Sequence, residues 1–310
     1  MAPKIQPAVA VASLVAAIGW IAYAHPGPAL IPAVLAVGLT IPSIAKIERD
    51  RAITMVLSIA VVVATVDYVS WRFGVTNWRG WWIAAPLVFA EAFGALHVLG
   101  FQLTIWPWPQ PELEHTEDPT RYPVFLFVPT LNEGAGVLGP TLQGCIAARD
   151  RYVEQYPNAQ VTIVVCNDGR AAGDPAWEDV EALAEELGVS CVTRLEPGGA
   201  KAGNIENARQ TVQATGHALL AIFDADQVPK SDFLLKTVPP FADPMLGWVQ
   251  TGQYYANLRN PVSRWADDQQ SMFYNLLCPG KAAMNSAFIC GTNVVLRTAA
   301  LDEIGGLPQD

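Results

Sequence analysis

Histidine and paired cysteine are what this 310-residue chain has least of, with four histidines and five cysteines in all. Cys145, Cys166, Cys191, Cys278 and Cys290 form no C-x-x-C pair, and no histidine stands at ligand spacing from them. Neither a zinc site nor a disulfide framework is indicated, and the cysteines read as reduced, mostly buried thiols of a cytosolic domain. Basic residues are scarce as well, 19 against 29 acidic for a net charge of −10, whereas a nucleic-acid partner calls for a basic face. The G-x-x-x-x-G-K-[ST] spacing of a P-loop is also missing, which leaves an ATPase reading little support.

Charge of either sign is sparse up to Gln110, and nearly all the negative balance lies beyond it. Four apolar runs fill that region: Ala8–Ala24, Ala29–Ala45, Ala52–Val69 and Trp81–Ile105. A bilayer crossing takes about 20 apolar residues. A signal peptide is an alternative for the first run and a buried core helix for any one, but four in succession predict a membrane bundle over 1–106. The second run is short and carries Pro32 and Pro42, so its ends are the least defined. Lys4, Lys46, Arg49 and Arg51 outnumber Arg72 and Arg79 on the other side, which puts the amino terminus and the later domain in the cytoplasm. Trp71, Trp78, Trp81, Trp82, Trp106 and Trp108 fall where an aromatic belt belongs. Asp67, Glu91 and His97 lie in or near the runs; they line a functional cavity, or Asp67 sits at the interface near Arg72.

A proline-rich, acidic linker over 107–121 leads into a domain over 122–310. There, apolar strands (Pro123–Thr130, Gln160–Cys166, Ser190–Arg194, Leu219–Phe223) alternate with helices near Val137–Tyr156, Ala176–Leu187 and Lys201–Thr215. That alternation predicts a mostly parallel α/β sheet covered on both faces. Polar turns recur at the carboxyl ends of three strands, where open α/β sheets bind ligands. Asp224 and Asp226, two apart after an apolar strand, would point the same way and offer hard oxygens to Mg²⁺ or Mn²⁺, unless they are a helix-capping or turn pair. Asn167-Asp168-Gly169 places a carboxylate able to accept from a uracil imide N–H, with Gly169 giving the turn its freedom, unless it is a plain turn. Gly198, Gly199 and Lys201 at a helix start suit a diphosphate. Together they describe a nucleotide-sugar site.

The ordered set VPTLNE (Val128–Glu133), CNDG (Cys166–Gly169), KAGN (Lys201–Asn204), FDADQVP (Phe223–Pro229), VQTGQYY (Val249–Tyr255) and FICGTN (Phe288–Asn293) resembles a family 2 glycosyltransferase of the bacterial cellulose synthase type. Tyr68-x-x-Trp71-Arg72 resembles that family's Y-x-x-W-R element. The resemblance implies a GT-A (Rossmann-like) catalytic domain behind four transmembrane helices in a bacterial inner membrane. It assigns Thr130, Glu133 and Asp168 to the uridine, Lys201 to the diphosphate, Asp224 to the nucleotide site as well, Asp224 and Asp226 to the metal, and Cys290, Gly291 and Thr292 to the polymer end. It implies processive, inverting transfer from a UDP-sugar, most simply UDP-glucose, to the non-reducing end of a growing polysaccharide that leaves through the bilayer, with accessory subunits as possible partners. Leu131 stands where an aromatic residue is common, Asn167 replaces the first aspartate of D-D-G, and Asp67 precedes Tyr68 where the family has arginine. The T-E-D base and the Q-x-x-R-W segment would fall beyond Asp310, so no catalytic base is identified. That motivates two further readings: a membrane-anchored UDP-sugar-binding subunit without catalysis, or a synthase of β-1,3-glucan, mixed-linkage glucan, chitin or hyaluronan. VQTGQYY and FICGTN argue against a non-processive transferase acting on a lipid phosphate.

Overall fold

The computed structural model describes residues 49–108 and 118–309. They divide between two compact units, Met1–Gln110 with Asn260–Ala287, and Pro111–Arg259 with Phe288–Asp310. The first unit holds helices α1 (Arg49–Val75) and α2 (Trp81–Ile105), joined through a 3₁₀ turn at Trp78–Gly80. The Asn77 side chain caps that turn by accepting from the Arg79 amide at 3.2 Å. Segments Ile53–Val75 and Trp78–Ile105 are long and apolar enough to cross a membrane. They carry the third and fourth runs read from the sequence; the first two lie outside the described residues.

Arg72 does not pair with Asp67 but donates from Nε to Glu91 of α2 at 2.7 Å, while the Tyr68 hydroxyl donates to the same carboxylate at 3.0 Å. Tyr68 and Arg72 are four apart and so share a helix face; Asp67 points off it.

The segment 260–287 belongs to this unit. Asn260 and Ser263 form a reciprocal cap at the start of helix Pro261–Met272, the Ser263 amide reaching Asn260 Oδ1 at 2.9 Å. A π-helical stretch, Phe273–Leu277, leads into helix Cys278–Ala283, and both pack on α2. Gly280 makes that packing possible, since a Cβ there would lie 1.6 Å from the Thr104 carbonyl oxygen. Gly280→Ala must push two backbones apart, and we expect a loss of about 1–3 kcal/mol from overpacking. A melting curve in detergent checks this; an unchanged midpoint contradicts the contact.

The second unit is built on a sheet of strands β1 (Val124–Thr130), β2 (Val161–Asn167), β3 (Ser190–Thr193), β4 (Leu219–Ile222), β5 (Trp248–Gln250) and β6 (Val294–Arg297), in the order β3-β2-β1-β4-β6-β5. The first four are parallel, and β6 runs antiparallel to both β4 and β5. The expected mostly parallel α/β sheet is therefore present, with an antiparallel edge added. Helices α3 (Ala135–Gln155), α4 (Trp177–Glu186) and α5 (Ala200–Thr211) connect the parallel strands.

Alternation along the strands explains the two-sided core. Val124, Leu126 and Val128 face Leu138, Leu142 and Tyr152 of α3, together with Val180 and Ala184 of α4. Phe127, Val164 and Leu220 face Ile205 and Ala208 of α5 on the other side. Successive side chains of a strand point to opposite faces, so both sets must be apolar once both faces are covered.

Candidate functional site

Register brings Thr130, Asn167 and Thr193, at the carboxyl ends of β1, β2 and β3, into one row. The Asp168 amide donates to the Thr130 carbonyl at 2.9 Å, so the turns after β1 and β2 are tied together. Glu133 folds back into the first turn. Its Oε2 accepts from the Thr130 hydroxyl at 2.9 Å and from the Leu131 and Asn132 amides at 2.8 and 3.3 Å. Partial burial by itself would raise this carboxyl. The amides of Leu131, Glu133 and Asn132 and the Thr130 hydroxyl outweigh it and hold the group below the usual carboxylate range.

Asn167 is buried and donates to the Trp177 carbonyl at 3.0 Å while accepting from the Gly169 amide at 3.0 Å. An ionised aspartate cannot donate, which gives asparagine a physical reason to stand here. Gly169 is needed for space: a Cβ would lie 3.0 Å from the Trp177 Cβ and 3.1 Å from the Leu131 carbonyl oxygen.

Asp168 is nearly buried and meets Arg194, just past β3, in a two-pronged pair: Nε to Oδ1 and Nη2 to Oδ2, each at 2.6 Å. Nη1 of the same guanidinium donates to the Gly198 carbonyl. Arg194 therefore joins the candidate uridine turn to the glycine turn before α5. Sequence reasoning gave it no role; its position directly after a strand of the set was the one available signal. The glycine turn itself is sterically fixed. Gly199 has φ +62°, and a Cβ on Gly203 would lie 2.0 Å from the Gly198 carbonyl oxygen.

The aspartate pair sits differently from its expectation. Strand β4 ends at Ile222, and Asp224 and Asp226 lie in a turn closed by the Gln227 amide donating to the Asp224 carbonyl at 2.9 Å. Strand alternation therefore does not aim them. Asp224 is half-buried and Asp226 exposed. Lys201, in the first turn of α5, donates to Asp224 Oδ1 and to the Gly291 carbonyl at 2.8 Å. The Asp224 amide donates to the Thr292 hydroxyl at 2.9 Å. Lys201, Asp224, Gly291 and Thr292 are thus in one place. Asp226 Oδ1 is 3.4 Å from the Gln227 side-chain amide.

Gln250 at the end of β5 is a second residue whose part was not foreseen. Its Nε2 donates to the Thr292 carbonyl at 2.9 Å, and its Oε1 accepts from the Cys290 amide at 2.9 Å, so it fixes the 290–292 loop from behind. The cysteines form no disulfide. Burial pushes the Cys145 thiol up to about 12, and burial also raises Cys166 well above its ordinary value, so both are inert.

No group of three histidine, cysteine or acidic side chains suited to a metal gathers among the described residues. Two neighbouring carboxylates fit a hard divalent ion whose remaining ligands come from phosphate oxygens and water. The donor chemistry of Asp224 and Asp226 meets that description.

Residues 121–309 match the family model described as "Glycosyltransferase like family 2". The chain belongs to that family. Its sheet is accordingly of the GT-A type, and the candidate residues gather at the carboxyl ends of its parallel strands. The chain is 30% identical over 277 residues to "Putative cellulose synthase 2" of Komagataeibacter xylinus, covering 85% of this chain and 17% of that protein. It is 30% identical over 271 residues to "Cellulose synthase catalytic subunit [UDP-forming]" of Pseudomonas fluorescens, covering 83% of this chain and 34% of the relative. The Xanthomonas axonopodis protein of the same name is 30% identical over 282 residues, 86% of this chain and 36% of its own length. This glycosyltransferase chain thus spans about a third or less of the curated relatives it matches.

Proposed function

We propose that this family 2 glycosyltransferase binds a UDP-sugar and, in the protein to which the sequence belongs, passes the sugar to the non-reducing end of a growing β-glycan. UDP-glucose and cellulose are the first choice, on the strength of the relatives' names. The observation that carries the reading is the linkage of Asp168 to Arg194 and Gly198, together with that of Lys201 to Asp224 and Gly291, which ties the turns after β2 and β4 to the glycine turn at the start of α5.

In this reading Thr130, Glu133 and Asp168 receive the uridine. Glu133 keeps its charge and braces the turn, so the Thr130 row is set before ligand arrives. Lys201 neutralises the diphosphate from the start of α5. Asp224 and Asp226 hold Mg²⁺ or Mn²⁺, which supplies stabilisation of the charge left on UDP. Cys290, Gly291 and Thr292 take the acceptor sugar, with Gln250 fixing their backbone. The apolar helices seat the protein in a bilayer with the sheet unit on the cytoplasmic side, and further subunits complete the synthase.

Calorimetric titration of UDP into the detergent-solubilised chain, with and without Mn²⁺, tests the site. Asp226→Ala is expected to weaken UDP binding in the presence of Mn²⁺ by about tenfold or more, ~1.4 kcal/mol, and to leave metal-free binding as it was. Equal UDP affinity in both proteins at saturating Mn²⁺ would discard the metal role. Competition by UDP-glucose against UDP-N-acetylglucosamine then reports the sugar.

A further inference from the structure

Lys201 makes its two contacts where the diphosphate and the metal are proposed to meet, and that double position has a consequence for loading. Its ammonium donates to Asp224 Oδ1 and to the Gly291 carbonyl at 2.8 Å. Both side chains are about half accessible, with 42% exposure for Lys201 and 39% for Asp224, so the pair can open without disturbing the core. Asp224 is otherwise held through its backbone, by the Thr292 hydroxyl, and its turn is closed by Gln227.

One cation thus occupies the carboxylate that a second cation would need. We propose that Lys201 is a stand-in cation for Asp224, released only when a diphosphate draws its ammonium away, so that a divalent ion and a nucleotide diphosphate enter together and the ion alone binds poorly. This rests on the reading of the site given above, and adds to it an order of events. A carboxylate paired with an ammonium is a poor ligand, because the incoming ion must displace the positive charge already there. A diphosphate offers that ammonium a more highly charged partner and at the same time supplies the ion's missing oxygens. Linkage makes the effect reciprocal: the factor by which UDP tightens the ion equals the factor by which the ion tightens UDP.

The test is a titration of Mn²⁺ alone into the full chain in detergent, followed by loss of the free-ion electron paramagnetic signal. In Lys201→Met the affinity for Mn²⁺ without nucleotide is expected to rise about tenfold, a typical size for coupling between sites. UDP affinity falls in the same variant. Lys201→Arg, which keeps a cation beside Asp224, is expected to stay within about twofold of the parent for Mn²⁺ alone. The gain should vanish when Lys201→Met is combined with Asp224→Asn, because the vacated ligand is then gone. A gain that persists in the double variant is a long-range charge effect and overturns the proposal. So does an unchanged Mn²⁺ affinity in Lys201→Met while UDP still binds the parent chain, in which case Lys201 is a phosphate counter-ion only. Failure of UDP to bind the parent chain at any Mn²⁺ concentration instead defeats the underlying site reading.

Discussion

Arg194→Ala is expected to cost about 3–5 kcal/mol of stability in the sheet unit and to weaken UDP binding by at least about tenfold. The pair it breaks has side chains only 10% and 11% exposed, and both prongs are at 2.6 Å. Removal leaves the Asp168 carboxylate in a poorly solvated place with no cation, which is far more costly than never having built the pair. It also cuts the tether to the Gly198 carbonyl, so the turn ahead of Lys201 loses its link to the turn that carries Asp168. Arg194→Lys should recover little, because a single ammonium cannot meet two carboxylate oxygens and a carbonyl with one planar fork. Urea unfolding and UDP titration on the same preparations read the two effects. Wild-type stability together with wild-type UDP affinity in Arg194→Ala would show that the pair neither supports the turn nor orders the site.

The second large effect belongs to Arg209, the bulkiest fully buried side chain of the sheet unit. It meets Glu206 at 2.8 and 2.9 Å and Asp302 Oδ1 at 2.5 Å, and the Leu307 amide reaches Glu206 at 3.2 Å. Arg209→Met keeps the volume and removes the charge, leaving two carboxylates facing each other, and about 3–5 kcal/mol should go. Acid gives the sign of the electrostatic part. Burial alone would raise both carboxyls, but Arg209 and neighbouring amides hold Glu206 and Asp302 below their ordinary values. Groups depressed in the folded state stabilise it above their unfolded pKa, near 4, and that contribution drains away as pH falls through the folded values. The gap between wild type and Arg209→Met in a denaturant series should therefore be full at pH 7 and narrow steadily below pH 4. A gap of the same size at pH 3 and pH 7 would assign the loss to packing.

Much of the architecture was readable because it rests on local pattern. The apolar runs ending in polar turns marked β1, β2 and β4, and the helix expected near Ala176–Leu187 matches α4 within a residue at each end. Where reading failed, long-range contact decided. The strands Trp248–Gln250 and Val294–Arg297 fall outside the strand–helix alternation that marks the others, and pairing defines them: Val294–Arg297 lies antiparallel on β4, and Trp248–Gln250 antiparallel on Val294–Arg297. Helix α5 stops at Thr211 and not at Thr215, because Gln213 turns to φ +56° and the Ala214 amide returns to the Arg209 carbonyl at 2.9 Å. The charged partners of Asp168, Arg72 and Arg209 lie from 3 to 93 residues away, and of these only Glu206 was within reach of a helical-spacing argument. The polar turns that make up the candidate site were legible as residue types; which cation each carboxylate would meet was not.

Helix α5 carries Lys201 in its first turn and Arg209 in its last. Twelve residues make a rod of about 18 Å, and a rod moves as one piece. A lesion at its anchored end therefore tilts the lysine at the other, so a screen for sugar-donor affinity will return mutations around Asp302 and Leu307 that never touch a nucleotide. Conversely, tightening the anchored end offers a route to a sturdier transferase whose ligand-facing chemistry is left alone.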